Sequence, residues 1–314
     1  MSTSPSARGA AAASTAGSAF NAGRSSGTGS SSSTASTSKA CTTSSAKNAS
    51  PMARRRARVV DPQHPDRSRE LYLPVEEPLE IRLDGQAIAM VSRTPGHDIE
   101  LIHGYLLGEG FIGGREDVRG ARYCEGSVLS QDTGFSQNTY NVISVQTENP
   151  VIRLAGPVSR ECGQPSVDAL DIIPPVRIAE DPTIVTAASI RAIAAELVRR
   201  SGISPYTAAS LTLTGTATTR DDARQLLAVD KVLGWAAVAG LLPLEGAIVC
   251  MEGGADASAV SHCVRAGVPI VIGLGAPTSL ACDIAKHFGV TLVSVHDAAP
   301  EPEVLVWTVP DRIE

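Results

Sequence analysis

Large apolar side chains are nearly absent from residues 1–51, where Ser, Thr, Ala and Gly dominate. A segment this polar buries too little surface to offset its ordering entropy, so it reads as a disordered tail. Residues 52–70 read as a basic linker, and order is expected to begin near Tyr72. From there the apolar positions fall into short periodic runs. Leu79 to Val91 reads as two strands around Asp84-Gly85, a hairpin dipeptide. Pro95-Gly96 marks a turn, and Asp98 and Glu100 suit the first turn of a helix. That helix carries Ile99, Leu101, Ile102, Tyr105 and Leu106 and is expected to stop near Gly108 to Gly110. Residues 138–156 read as strands around a polar loop, Thr147-Glu148-Asn149-Pro150.

Five prolines make residues 157–183 an irregular connection, and Cys162 lies in it. Strands and helices then alternate. Helices are expected over Ala187–Arg200, Ala228–Ala239, Ser258–Ala266 and Leu280–Phe288. Strands are expected over Ala208–Leu213, Ala247–Met251, Val268–Ile272 and Val290–Val295. The pattern predicts the α/β class, with a mixed layered sheet and flanking helices over 184–314. A smaller α+β subdomain is expected over 71–156.

Charge separates the tail from the body. Residues 1–60 hold eight basic side chains and no acidic one, leaving the rest with 19 basic against 33 acidic, a formal charge of −14. So acidic a body argues against nucleic-acid binding, which needs phosphate neutralisation. The run Arg54 to Arg58 reads as a solvated arm. No apolar run approaches the roughly 20 residues that span a bilayer, and a cytoplasmic location is expected. For the tail three readings stay open: a targeting peptide, a linker, or a start codon upstream of translation at Met52.

The six cysteines show no CxxC spacing. Cys250, Cys263 and Cys282 lie in apolar or helical runs and read as core; Cys124 lies in a stretch of unclear structure and Cys41 in the tail. Cys162 differs. It sits in Ser159-Arg160-Glu161-Cys162-Gly163-Gln164-Pro165, where Gly163 permits exposure of the sulfur and Arg160 favours the thiolate. The bland alternative is an ordinary loop thiol. The turn Gly273 to Ser279 joins a buried strand to a helix that Thr278 or Ser279 can cap, and free N–H groups there suit an anion. A plain capped connection is the alternative. The histidines show no metal-ligand spacing, and Asp221-Asp222 and Asp230-Lys231 read as a solvated face and a local ion pair.

Several segments in order resemble the formate dehydrogenase accessory sulfurtransferase family (FdhD). They are Pro74-Val75-Glu76-Glu77-Pro78-Leu79-Glu80-Ile81, Arg93-Thr94-Pro95-Gly96-His97-Asp98, Gly104 to Ile112, Asp230 to Gly234, Ala266 to Ile270, Ala276 to Ala281 and Gly289 to Val293. The resemblance spans about residues 70 to 310. It implies a cytidine-deaminase-like second domain without zinc, and no metal held by the protein itself. It implies a carrier that takes sulfur from a cysteine desulfurase as a persulfide. The recipient is the molybdenum bis(molybdopterin guanine dinucleotide) cofactor of formate dehydrogenase, bound as substrate by a homodimer. Carried onto this chain, Cys162 is the catalytic position, while Ala276, Pro277, Thr278, Ser279 and Lys231 face the cofactor.

The chain departs from the family pattern. Ser159 falls on the first cysteine of the family's CxxC, which removes a thiol that could relay the sulfur. Arg224-Gln225-Leu226-Leu227 and Glu252-Gly253-Gly254 replace the family's Gly-Arg-His-Asn and Ser-Gly-Arg, and Val295 to Pro300 replaces an arginine-bearing loop, with Asp297 repelling phosphate. Two functions follow. One is a sulfurtransferase working through a single cysteine; the other is a non-catalytic paralogue that binds cofactor or partner as an assembly factor. A nucleoside deaminase is excluded, because the His/Cys/Cys zinc set and its Glu are missing.

Overall fold

The computed structural model describes residues 52–60, 63, 67–124, 127–129, 136–138, 141–148, 167–201, 205–297 and 301–314. The first strands, β1 (Met52–Arg58) and β2 (Ser68–Pro74), pair antiparallel as a two-stranded ribbon. The expected linker is therefore a hairpin. Arg54, Arg55 and Arg56 stand in a row on β1, and Leu71, Tyr72 and Leu73 in a row on β2, so neither strand alternates apolar with polar and no single apolar face marked the hairpin in the sequence.

A four-stranded sheet follows, in the order β4-β3-β8-β5, from β3 (Glu77–Leu83), β4 (Gln86–Arg93), β5 (Val118–Tyr123) and β8 (Val142–Thr147). Two short strands between β5 and β8, β6 (Ser127–Leu129) and β7 (Ser136–Asn138), pair with each other. Asp84 and Gly85 both take positive φ in the tight β3–β4 turn, as the dipeptide predicts. Alternation along β3 buries Leu79, Ile81 and Leu83, which join one core cluster with Leu101, Ile102 and Leu106 of α1 (Asp98–Gly108).

The second sheet has six strands in the order β10-β9-β11-β12-β13-β14. They are β9 (Thr207–Leu213), β10 (Thr216–Asp222), β11 (Ile248–Met251), β12 (Ile270–Gly273), β13 (Thr291–His296) and β14 (Glu303–Val306). The central three are parallel, β9 runs against β11, and β14 against β13. Buried on both faces, β11 and β12 read as unbroken apolar runs. On one face lies α2 (Ala187–Ser201), with Ile190, Ala194 and Leu197 over Ile248, Ile270 and Val293. The other face meets α3 (Gln225–Val238), α4 (Ala257–Ala266) and α5 (Ser279–Phe288). The mixed α/β class is as expected. Strands β5, β6, β7, β10 and β14 were not: polar side chains break the pattern in β5 and β10, and β6, β7 and β14 are only three or four residues long.

One core cluster runs without interruption from Leu79 to Leu292 and so joins the two sheets. The joint is the crossing of α1 and α3. A Cβ on Gly104 would overlap the backbone carbonyl of Asp230, and one on Gly234 would overlap that of Glu100. Glycine at both positions lets the two helix backbones touch.

Candidate functional site

Parallel strands β11 and β12 end at Met251 and Gly273, and β13 ends beside them at His296. Their carboxyl ends open a crevice at the edge of the sheet, where α/β proteins place ligands. Two helices start there. Asp256 caps α4 by accepting from the Ala259 N–H at 2.8 Å, and Thr278 caps α5 by accepting from Ala281 at 3.3 Å. The N–H groups of Ser279 and Leu280 lie in the same first turn and have no acceptor within the helix. Ala276, Thr278 and Ser279 are exposed, and Pro277 is half-buried. The turn is held from behind. Gly254 lies so close to the Ala276 carbonyl that no side chain fits between them, and Thr278 N–H donates to Ala255 at 3.1 Å.

Gln225 occupies the α3 side of this crevice. Its amide donates to the carbonyls of Glu252 and Gly254, at 2.5 and 3.1 Å. The Glu252 carboxylate accepts from the Ala208 N–H at 2.9 Å. Residues that replace the family's charged groups thus tie the crevice wall together.

On the α2 face the crevice widens into a cleft of about 490 Å³. One wall is a continuous stripe of α2, with Ala194, Ala195 and Val198 between Arg191 and Arg199. Leu274, Val295 and Asp297 also line it. Arg199 is paired with Glu196 at 2.7 Å, and Arg191 donates to the Pro302 carbonyl at 2.9 Å.

Cys162 lies outside the described residues, as do Ser159 and Arg160. Its downstream anchor is described. Val167 is half-buried in the main core, and residues 167–170 pack against α5.

Lys231 needs correction as a cofactor-facing residue. It is 1% exposed, and its ammonium contacts the Asp222 carboxylate at 2.7 Å and donates to the carbonyls of Thr94 and Asp221, each at 3.0 Å. All three donors are used inside the protein. Asp222 is itself fully buried, not part of a solvated face, and also accepts from the Thr94 N–H at 3.1 Å. Burial pushes its carboxyl up from the ordinary value, against the pull of Lys231. The Arg93 to Asp98 motif is thus structural: Thr94 docks on Asp222, and buried Arg93 contacts Asp98 at 3.0 Å, with the Tyr123 hydroxyl donating to the same oxygen.

Asp230 pairs with His262, not Lys231. Nδ1 of His262 lies 2.7 Å from Oδ1 of Asp230, and Glu109 stands 3.7 Å from Nε2. Burial opposes charge on both partners; on the histidine the two carboxylates prevail and raise it to about 9. Gly108 makes room, since a Cβ there would overlap the His262 ring. Sequence spacing could not find these pairs, whose members lie up to 137 residues apart. One signal was legible: two charges inside the apolar run Ala228 to Gly234. Cys250 and Cys263 are buried as expected, and Cys282 is half-buried.

The model of the FdhD/NarQ family matches residues 74–314. The chain belongs to the FdhD/NarQ family. It is 37% identical to the sulfur carrier protein FdhD of Mycolicibacterium paratuberculosis, with 77% of this chain and 91% of that protein covered. The FdhD proteins of Nocardia farcinica and Streptomyces avermitilis are 37% and 35% identical, covering 72% and 70% of this chain and 83% and 82% of theirs. A crystal structure described as a formate dehydrogenase accessory protein from Desulfotalea psychrophila shares the fold, with a TM-score of 0.63 at 22% identity. It covers 84% of this chain and 99% of its own. The family match begins at the last residue of β2, so β1 and most of the ribbon precede it. Among the described residues no helix is long and apolar enough to cross a membrane, and no group of His, Cys, Asp and Glu could hold a metal ion.

Proposed function

We propose that this FdhD-family chain is a sulfur carrier that loads Cys162 as a persulfide. The supporting observation is the match to proteins named sulfur carriers over about three quarters of the chain. It is joined by the position of Cys162 in the chain, five residues before Val167, which packs against the main core. In the loading step the Cys162 thiolate attacks the outer sulfur of a donor persulfide, R–S–SH. The S–S bond of the donor breaks, Cys162–S–SH forms, and R–S⁻ leaves. The donor is a cysteine desulfurase. The recipient is the molybdenum bis(molybdopterin guanine dinucleotide) cofactor destined for formate dehydrogenase, and delivery of the sulfur returns the Cys162 thiol. A phosphate of that substrate fits the α5 turn from Ala276 to Ser279, where a helix N-terminus favours negative charge. Lys231 has no part in this reading. A cytidine-deaminase-like layout is the proposed frame of the second domain, a homodimer is the proposed assembly, and the reducing cytosol is the compartment that keeps a lone thiol free.

Incubation with a cysteine desulfurase and cysteine, followed by intact-protein mass spectrometry, tests this. The wild type is expected to gain one sulfur atom, and Cys162→Ala none. An adduct that persists in Cys162→Ala, or a wild type that never acquires one, overturns the carrier reading in favour of a binding paralogue.

A further inference from the structure

The ribbon of β1 and β2 has no part in the sulfur-carrier reading, and all of it but Pro74 precedes the family match. We infer that the outer edge of β1 is a docking site for an extended acidic segment of a partner protein, which adds to the ribbon as a third strand.

The register leaves that edge open. Among the described residues β1 pairs with β2 alone, from Met52 opposite Pro74 to Arg58 opposite Ser68. In an antiparallel ladder, opposed pairs that exchange hydrogen bonds alternate with pairs that do not. The Val59 N–H donates to the Arg67 carbonyl at 2.8 Å, which makes these two an exchanging pair. Counting back along β1, Ala57, Arg55 and Ala53 turn their backbone groups to β2, while those of Arg58, Arg56 and Arg54 point away from it. One outward carbonyl, that of Arg54, accepts from the Arg55 guanidinium at 3.0 Å, as it would from the N–H of a third strand. The base of the ribbon is fixed, since the Val75 N–H donates to the Tyr206 hydroxyl at 2.8 Å. An open edge on an anchored ribbon is a template for strand addition.

Side chains set the chemistry of the partner. The two strands carry five arginines and one acidic residue, Glu70. Successive strand residues point to opposite faces, so Arg54, Arg56 and Arg58 stand on one face of β1 and Arg55 on the other, all of them exposed. Arg54 pairs with Glu70, and Arg56 donates to the Ser68 hydroxyl at 2.8 Å. An incoming strand meets guanidinium groups on both of its faces, and opposite charges across a strand pair favour pairing. A carboxylate-bearing segment is thereby selected without a strict sequence. Nucleic acid fits less well: residues 61–314 carry a formal charge of −14 and repel a polyanion that runs past the ribbon, whereas five residues of acidic peptide span only about 17 Å. A bilayer also fits less well. Leu71 and Leu73 share their face with Arg55 and Arg69, and Tyr72 lies on the other, so neither face is an unbroken apolar surface.

Fluorescence anisotropy of the full chain tests this with two labelled heptapeptides of equal charge. One has four glutamates separated by alanines, the other four glutamates separated by prolines, which lack the ladder donor. The alanine peptide is expected to bind at least about tenfold more tightly than the proline peptide, than octauridylate RNA and than phosphatidylglycerol vesicles, a difference a few strand hydrogen bonds supply. Replacing Arg54, Arg55 and Arg56 together by Gln should weaken the alanine peptide at least about tenfold, while the matching Lys triple should stay within about threefold, since it keeps the charge. Equal affinity for the two peptides, unchanged binding by the Gln triple, or tighter binding of RNA or vesicles would each overturn the inference. Absence of peptide binding would leave the arginines as guards of the edge against self-pairing and overturn it too. So would wild-type self-association in sedimentation that the Gln triple abolishes, because the edge would then belong to a second copy. The mass adduct on Cys162 reports on the carrier reading separately.

Discussion

Gly104 of α1 lies directly against the backbone carbonyl of Asp230 in α3, with no room for a β-carbon between them. The contact holds the two sheets at one helix crossing, and neither helix can move aside without exposing the shared core. Gly104→Ala should lower stability by about 2–3 kcal/mol, as overpacking of a close contact does. Gly120→Ala, where an added Cβ meets nothing within 4 Å, is the control and should stay within about 0.5 kcal/mol. Urea denaturation midpoints separate them.

The Lys231–Asp222 pair predicts non-additive mutants. Lys231→Met removes the charge partner of a carboxylate with no exposure and should destabilise by about 3–5 kcal/mol. Lys231→Met with Asp222→Asn removes both charges and should recover most of that loss. A double mutant as unstable as the sum of the singles would show that the pair is not coupled.

His262 makes stability depend on pH. Its folded-state value, about 9, lies above the ordinary 6.5, so the folded protein binds the proton more tightly. The stabilisation is complete below about pH 6.5 and is lost as the pH rises through about 9, amounting to at most about 3 kcal/mol. Chemical denaturation at intervals from pH 6 to 9.5 should show the decline. His262→Gln should flatten it, and an unchanged slope in that variant would assign the decline elsewhere.

Thiol labelling should follow burial. Cys250 is pushed up to about 12 and Cys263 higher still by removal from water, so both should resist iodoacetamide in the folded protein at pH 7.5. Half-buried Cys124 and Cys282 should both label faster than either. Peptide mapping after timed quenching reads the order, and early modification of Cys263 would contradict the packing of α4.

The amino-acid sequence by itself determined the α/β class and the central strands, because β11 and β12 are apolar on both faces and the helices between them carry their own caps. It also determined the strand-to-helix turn at Ala276 to Ser279 and the family likeness through ordered motifs. It did not determine β1, whose arginines carry no core-facing stripe, or β10, where buried Thr218 and Asp222 stand in a polar run. Only the tertiary structure decided which charges meet. Lys231 turned inward to Asp222 and left the crevice, while Asp230 found His262 from another helix. The physical reason is that periodicity reports burial along one element, whereas a buried charge is satisfied by whatever the packing of distant elements brings within hydrogen-bond reach.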